Sequence, residues 1–147
     1  MLHVIHTLDD PFIHLLSGDP VRPAIPWHNR VGPLSKVLVL LNTQEQPQSV
    51  VCVTFGDQVP EDEDHLFAYQ GQDPTVAVLY TIWSLSMGGG RAMIDEAMQY
   101  ITSQWPSVQQ IVTLSPPTEM ARRFHLRNGA RELRVNPTTV NFTYSAA

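Results

Sequence analysis

The sequence predicts a mixed α/β fold, one sheet with helices packed against it, and three observations carry that prediction. An uncharged run over residues 75–84, TVAVLYTIWS, is rich in β-branched and aromatic residues and reads as a strand buried on both faces. It runs into Gly88-Gly89-Gly90 and then into a stretch of helical period. A second short apolar run, residues 110–114, leads through a Ser-Pro-Pro-Thr turn into another helix that stops at Gly129. Strands that alternate with helices in this way imply a mixed sheet whose ligand lies at the carboxyl ends of the strands.

Taken in order, residues 2–7 predict a first strand of poor alternation and residues 12–16 a short helix. Pro20, Pro23, Pro26 and Pro33 then make a rigid irregular segment. Residues 36–41 and 49–55 predict a hairpin across the polar loop 42–48. After the strand at 75–84, apolar residues at Ile94, Ala97, Met98, Ile101 and Trp105 fall on one helical face, with Asp95 and Glu96 in the first turn and Pro106 as the stop. Ser115 or Thr118 caps the next helix, which runs to about Asn128. Residues 131–135 and 138–144 read as two closing strands around Asn136-Pro137. Repeats, low-complexity tracts and linkers are missing from the sequence, so residues 1–147 are expected to form a single domain.

A strand feeding a glycine loop that opens a helix is an anion site, because the first N–H groups of the helix lack partners and the dipole is positive there. Its natural ligand is a phosphate or pyrophosphate. A P-loop lysine does not follow the glycines, and Gly88-Gly89-Gly90-Arg91-Ala92-Met93 is not a dinucleotide fingerprint, so neither triphosphate hydrolysis nor a Rossmann site is expected. His3 and His6 are the only close histidine pair and lack partners at ligand spacing; no metal is expected. The acidic run Glu61-Asp62-Glu63-Asp64-His65 reads as a solvated loop, or as a rim attracting an amine. Cys52 lies in an apolar run and reads as core. A net charge of −5 argues against nucleic acid and anionic lipid as partners, although five of the nine basic residues fall between Arg122 and Arg134. With no membrane-length apolar run and no signal-like start, a cytoplasmic location is expected.

These residues resemble the GNAT superfamily of N-acyltransferases. Leu85-Ser86-Met87-Gly88-Gly89-Gly90 fits both glycine positions of the pyrophosphate loop Q/R-x-x-G-x-G/A, and Gly90-Arg91-Ala92-Met93 is similar to the G-R-A-L that opens the family's CoA helix. Ala121 to Gly129, A-R-R-F-H-L-R-N-G, is similar to the A-x-x-F-Y-x-x-x-G helix. Two departures stand out: Leu85 occupies the Gln/Arg position and His125 the Tyr position. Val78-Leu79-Tyr80-Thr81-Ile82 and Leu114-Ser115-Pro116 also resemble strands of malonyl-CoA decarboxylases, whose catalytic domain is GNAT-like. Asp19-Pro20-Val21-Arg22-Pro23 and residues 120–125 resemble small GNAT-like phage proteins.

The resemblance implies a mostly antiparallel sheet of six or seven strands with helices on both faces. It implies an acyl-CoA-dependent N-acyltransferase moving an acetyl group from acetyl-CoA, its co-substrate, to an unidentified amine. Alternatives are another acyl-CoA reaction such as decarboxylation, nucleobase modification, or CoA or partner binding without catalysis; a homodimer is left open. The CoA-binding candidates are Ile82, Trp83, Ser84, Leu85, Ser86, Met87, Gly88, Gly89, Gly90, Arg91, Ala92, Thr118 and Arg122. Backbone N–H groups around Thr81, Ile82 and Trp83 are expected to hold pantetheine and polarise the acyl carbonyl. His125 is the candidate acid for the CoA sulfur, with a buried helix residue as the alternative, and Tyr80 and Ser115 are candidate bases. The Pro-rich segment bearing Arg22, Trp27, His28 and Arg30 is expected either to wall the acceptor site or to pack as a structural arm.

Overall fold

The computed structural model describes residues 1–86 and 89–144. Apolar β-branched runs place strands at β1 (Leu2–Ile5), β2 (Ser35–Leu41), β3 (Pro47–Gly56), β4 (Val76–Ser84), β5 (Gln110–Thr113), β6 (Arg131–Val135) and β7 (Val140–Tyr144). They form one seven-stranded sheet in the order β1-β2-β3-β4-β5-β7-β6. Every pairing is antiparallel except β4 with β5. That parallel pair is the one whose connection carries a helix long enough for a crossover, α2 (Gly89–Gln104).

Alternation along the strands sorts the core into two layers. On one face Leu38, Val51, Val53, Ala77, Leu79 and Ile111 pack against Met93, Ile94, Ala97 and Ile101 of α2. Ile94, Ala97 and Ile101 are residues the sequence period marked, Met93 joins them from the preceding position, and Trp105 at the end of that face stacks on Phe55 with ring centroids 3.8 Å apart. On the other face Val39, Val50, Cys52, Val78 and Tyr80 pack against Leu16, Ile25 and Leu66. This second layer is closed by an N-terminal arm, residues 6–34, and by the single turn α1 (His65–Ala68). α3 (Glu119–Arg127) starts at Thr118, whose side chain accepts from the Ala121 N–H, and ends before Gly129, whose φ of +99° lets the chain leave the helix.

Three local expectations change. The short helix expected over residues 12–16 is a 3-10 helix displaced to Ile13–Gly18. The acidic run stays a mostly exposed loop over residues 61–64, as expected, but its last residue, His65, opens α1, and two of its carboxylates pair with arginines: Glu63 binds Arg22 at 3.0 Å and Glu61 lies 3.8 Å from Arg134. The third concerns the start of α2: Gly89 and Gly90 are its first residues and not part of the loop before it, so Asp95 and Glu96, expected in its first turn, lie beyond it. Close approach explains the two glycines: a Cβ on Gly90 would stand 2.6 Å from the Phe124 ring, and one on Gly89 3.2 Å from the Gln48 carbonyl. Met87 and Gly88, expected in the pyrophosphate loop, lie outside the described residues.

Candidate functional site between the parted ends of β4 and β5

The pairing of β4 with β5 stops at Leu79 opposite Thr113, followed by one bond from the Leu114 N–H to the Leu79 carbonyl. Beyond it Ser115 leaves β4 and pairs with Val140 on β7, through two bonds of 2.9 Å. Pro116 and Pro117 follow and have no N–H to offer a ladder. β4 meanwhile continues to Ser84 against β3 alone, with Tyr80 skipped in the register as a bulge. The two strands therefore part, and a cleft of about 440 Å³ fills the gap. The cleft is walled by Pro20 and Val21 of the arm on one side and by Phe124 and His125 of α3 on the other.

The open edge of β4 offers backbone groups in alternation. The Leu85 N–H binds the Gln48 carbonyl, so residues 81, 83 and 85 turn toward β3, while the Tyr80 carbonyl turns the opposite way to Arg22. By that alternation Ile82 and Ser84 face the gap and Thr81 and Trp83 do not. Of the three expected backbone donors, Ile82 alone is placed for an occupant. Trp83 also lines the cleft, and its buried indole N–H has no partner among the described residues.

The candidate catalytic side chains fare differently. His125 is buried on α3, shares a 2.7 Å hydrogen bond through Nδ1 with the Tyr144 hydroxyl, and stacks on Phe142. Burial pushes its pKa down to about 4. The imidazole is thus neutral at pH 7, and its hydrogen-bond partner is a phenol, not a carboxylate that would hold it protonated. Ser115 lines the cleft, and its hydroxyl lies 2.8 Å from that of Thr113, which also accepts from the Phe142 N–H. One proton occupies the bond between the two hydroxyls, so the other is left over; with Thr113 donating, the free one belongs to Ser115. Tyr80 does not fit a base. Its phenol is enclosed in the arm-side core, lacks a hydrogen-bond partner, and is pushed well above its ordinary pKa by burial. Only its backbone belongs to the gap.

Among the CoA-binding candidates, Ile82, Trp83, Ser84 and Thr118 line the cleft. Leu85, Ser86, Arg91 and Ala92 are exposed beside the start of α2, with Gly89 and Gly90 packed beneath. Arg122 departs from the expectation: its guanidinium binds Glu132 of β6 at 2.6 Å and does not line the cleft. An i-to-i+10 partner on the next strand gave no signal in the helix periodicity. Sequence reading also missed Thr113, Tyr144 and Asp19, whose parts depend on pairings across the sheet.

Compared with solved structures, the chain matches malonyl-CoA decarboxylase from Agrobacterium vitis at a TM-score of 0.79 and 18% identity, over 99% of this chain and 60% of that one. It matches the loading GNATL domain of CurA from Lyngbya majuscula at 0.70 and 13%, over 99% and 98% of the two chains. The chain has a GNAT-like fold. AAC(6')-Ib, solved in complex with ribostamycin and coenzyme A, gives 0.66 and 12% over 99% and 92%. The chain spans about 60% of the length of the malonyl-CoA decarboxylases that it matches. No family model and no curated protein sequence matches it. Structures with this GNAT-like fold thus include both acetyltransferases and CoA-binding decarboxylases. Among the described residues, no helix is long and apolar enough to cross a membrane.

Proposed function

We propose that this chain binds an acyl-CoA with its pantetheine along the open edge of β4, and that it acts on the acyl group between Ser115 and His125. The observation that carries this reading is the parted β4–β5 edge with a neutral imidazole and a hydroxyl at its rim. The phosphates are assigned to the first turn of α2, where N–H groups have no intrahelical partners.

Decarboxylation of a β-carboxyacyl-CoA of the malonyl type suits these groups better than transfer to an amine. An amine reaches the site as an ammonium and must lose a proton, yet none of the described residues lining the cleft is acidic and an imidazole with a pKa near 4 is a weak base. Loss of CO2 needs no base. The bond between the α-carbon and the carboxylate breaks, its electron pair forms an enolate, and donors must meet the enolate oxygen. The Ile82 N–H and the Ser115 hydroxyl are the candidates for that task. The α-carbon then takes a proton from solvent, and acetyl-CoA and CO2 leave. Alignment of the whole chain with malonyl-CoA decarboxylases supports this order of preference at the level of the fold. Acetyl transfer to an amine is the second reading, favoured by the exposed Pro20 on the arm side of the cleft, where a second molecule has room to enter.

Mass-spectrometric product analysis tests both. Malonyl-CoA converted to acetyl-CoA without release of free CoA supports decarboxylation, with Ser115→Ala and His125→Gln each slowing it by about 100-fold or more. Free CoA formed together with an acylated amine supports transfer. Absence of any CoA or acyl-CoA binding by calorimetry would sink the acyl-CoA reading.

A further inference from the structure

The arm reaches the parted strands through a network that fixes one short turn. The buried Asp19 carboxylate takes the Val21 N–H at 2.8 Å, the Arg22 N–H at 3.0 Å and the Thr81 hydroxyl of β4 at 2.9 Å on one oxygen. Its other oxygen takes Nη1 of Arg30 at 2.7 Å. Arg30 is itself fully buried and donates onward to the carbonyls of Arg22 and Ile25. Arg30 is therefore a strut inside the arm and not a pocket residue.

The network aims Arg22 into the fork of the strands. Its Nε donates to the Tyr80 carbonyl at 2.8 Å and its Nη2 to the Leu114 carbonyl at 2.7 Å, while Glu63 holds Nη1. Tyr80 and Leu114 stand just beyond the last β4–β5 pair, so one planar guanidinium joins two carbonyls that the ladder has abandoned. A lysine, a point charge on a flexible stem, cannot reproduce that fork. Val21, the residue before it, lines the cleft.

We propose that the turn at residues 19–22 is the acyl-selectivity element of the cleft: Val21 meets the end of the acyl group, and Arg22 sets how far between β4 and β5 that group can reach. This inference rests on the acyl-CoA reading. An occupant with its phosphates at α2 enters from the α2 face of the sheet, and its far end then meets the arm on the opposite face. The acyl group thus stops against a wall that buried ions hold in place, and the wall counts methylenes.

The test is a calorimetric ladder of CoA, acetyl-, malonyl-, butyryl- and octanoyl-CoA on the wild-type chain and on Val21→Ala, Val21→Leu, Arg22→Lys and Arg22→Ala. The expected wild-type result is binding of CoA and the short acyl-CoAs, with octanoyl-CoA weaker by about tenfold or more. Val21→Ala and Arg22→Ala are expected to erase that ratio while the affinity for free CoA stays within about twofold. Val21→Leu is expected to sharpen the ratio and Arg22→Lys to weaken it. A change of stability alone would move all five ligands together, so the ratio reports selectivity. If the wild type binds the ladder and folded Val21 variants leave the ratio untouched, the turn does not contact the acyl group and the inference falls. If the wild type binds neither CoA nor any acyl-CoA, the acyl-CoA reading falls with it. Should the Arg22 variants fail to fold, the conservative Val21 pair still decides.

Discussion

His125 shows how much one burial decides. The same imidazole at a helix surface would titrate near 6.5, but between Phe142, Phe124 and Tyr144 its cation has little to solvate it and its pKa falls to about 4. Because the folded value lies below the unfolded one, the unfolded chain binds the extra proton first. Stability is full above pH 6.5 and is lost as pH falls toward 4, by roughly 3 kcal/mol across that window. Thermal melts at pH 7.5, 5.5 and 4.5 should show this loss, and His125→Gln should flatten it between 6.5 and 4. A wild-type melting temperature constant across that range would contradict the burial. Sequence marked His125 as a site residue through its place in the helix motif, but its protonation state depends on rings from β7 that no local pattern reveals.

At the scale of elements, α2 and α3 touch through Gly90. A methyl group there would stand 2.6 Å from Cε1 of Phe124, and the ring, wedged between the two helices, has to give way. Gly90→Ala is expected to cost about 1–3 kcal/mol by overpacking, and to displace the α3 wall of the cleft enough to weaken CoA binding. Paired urea and calorimetric titrations of the variant check the two effects; an unchanged midpoint and affinity would mean that Phe124 moves freely. Away from the cleft, Ile101→Ala on the sheet-facing stripe of α2 should cost about 2–5 kcal/mol without changing affinity for CoA. The stripe was legible because helical periodicity depends only on spacing. The glycines were half legible: their sequence implied unusual backbone demands, whereas the demand met by Gly89 and Gly90 is closeness to other elements.

Across the layers of the fold, the Asp19–Arg30 pair braces the arm, and Asp19 ties it to the sheet through Thr81 of β4. Burial by itself would raise the Asp19 pKa, but the Arg22 N–H, the Arg30 guanidinium, the Val21 N–H and the Thr81 hydroxyl outweigh it and hold the carboxyl below its ordinary value of 3.8. Its contribution is therefore present above that value and lost as pH falls through the lower folded one, a window below that of His125. Removing one partner leaves the other buried and unpaired, so Asp19→Asn and Arg30→Met are each expected to destabilise by about 3–5 kcal/mol. The double variant should lose much less than the sum, since no lone charge remains. Chemical denaturation of the three variants measures the coupling, and strictly additive losses would show that the two side chains act independently.

Local pattern was enough for the order of the seven strands and of α2 and α3, the buried stripe of α2, the Thr118 cap and the Gly129 stop, because each depends on neighbours a few residues away. It also marked Ser115 and His125, through short motifs on a strand end and a helix. It took the folded layers to part β4 from β5 after Leu79 and to lay Arg22 across the fork. The same layers withdrew the Tyr80 phenol into the core and turned Arg122 to Glu132. Those outcomes rest on contacts between residues 10 to 92 positions apart, and on how burial reshapes charge and hydrogen bonding once the layers close.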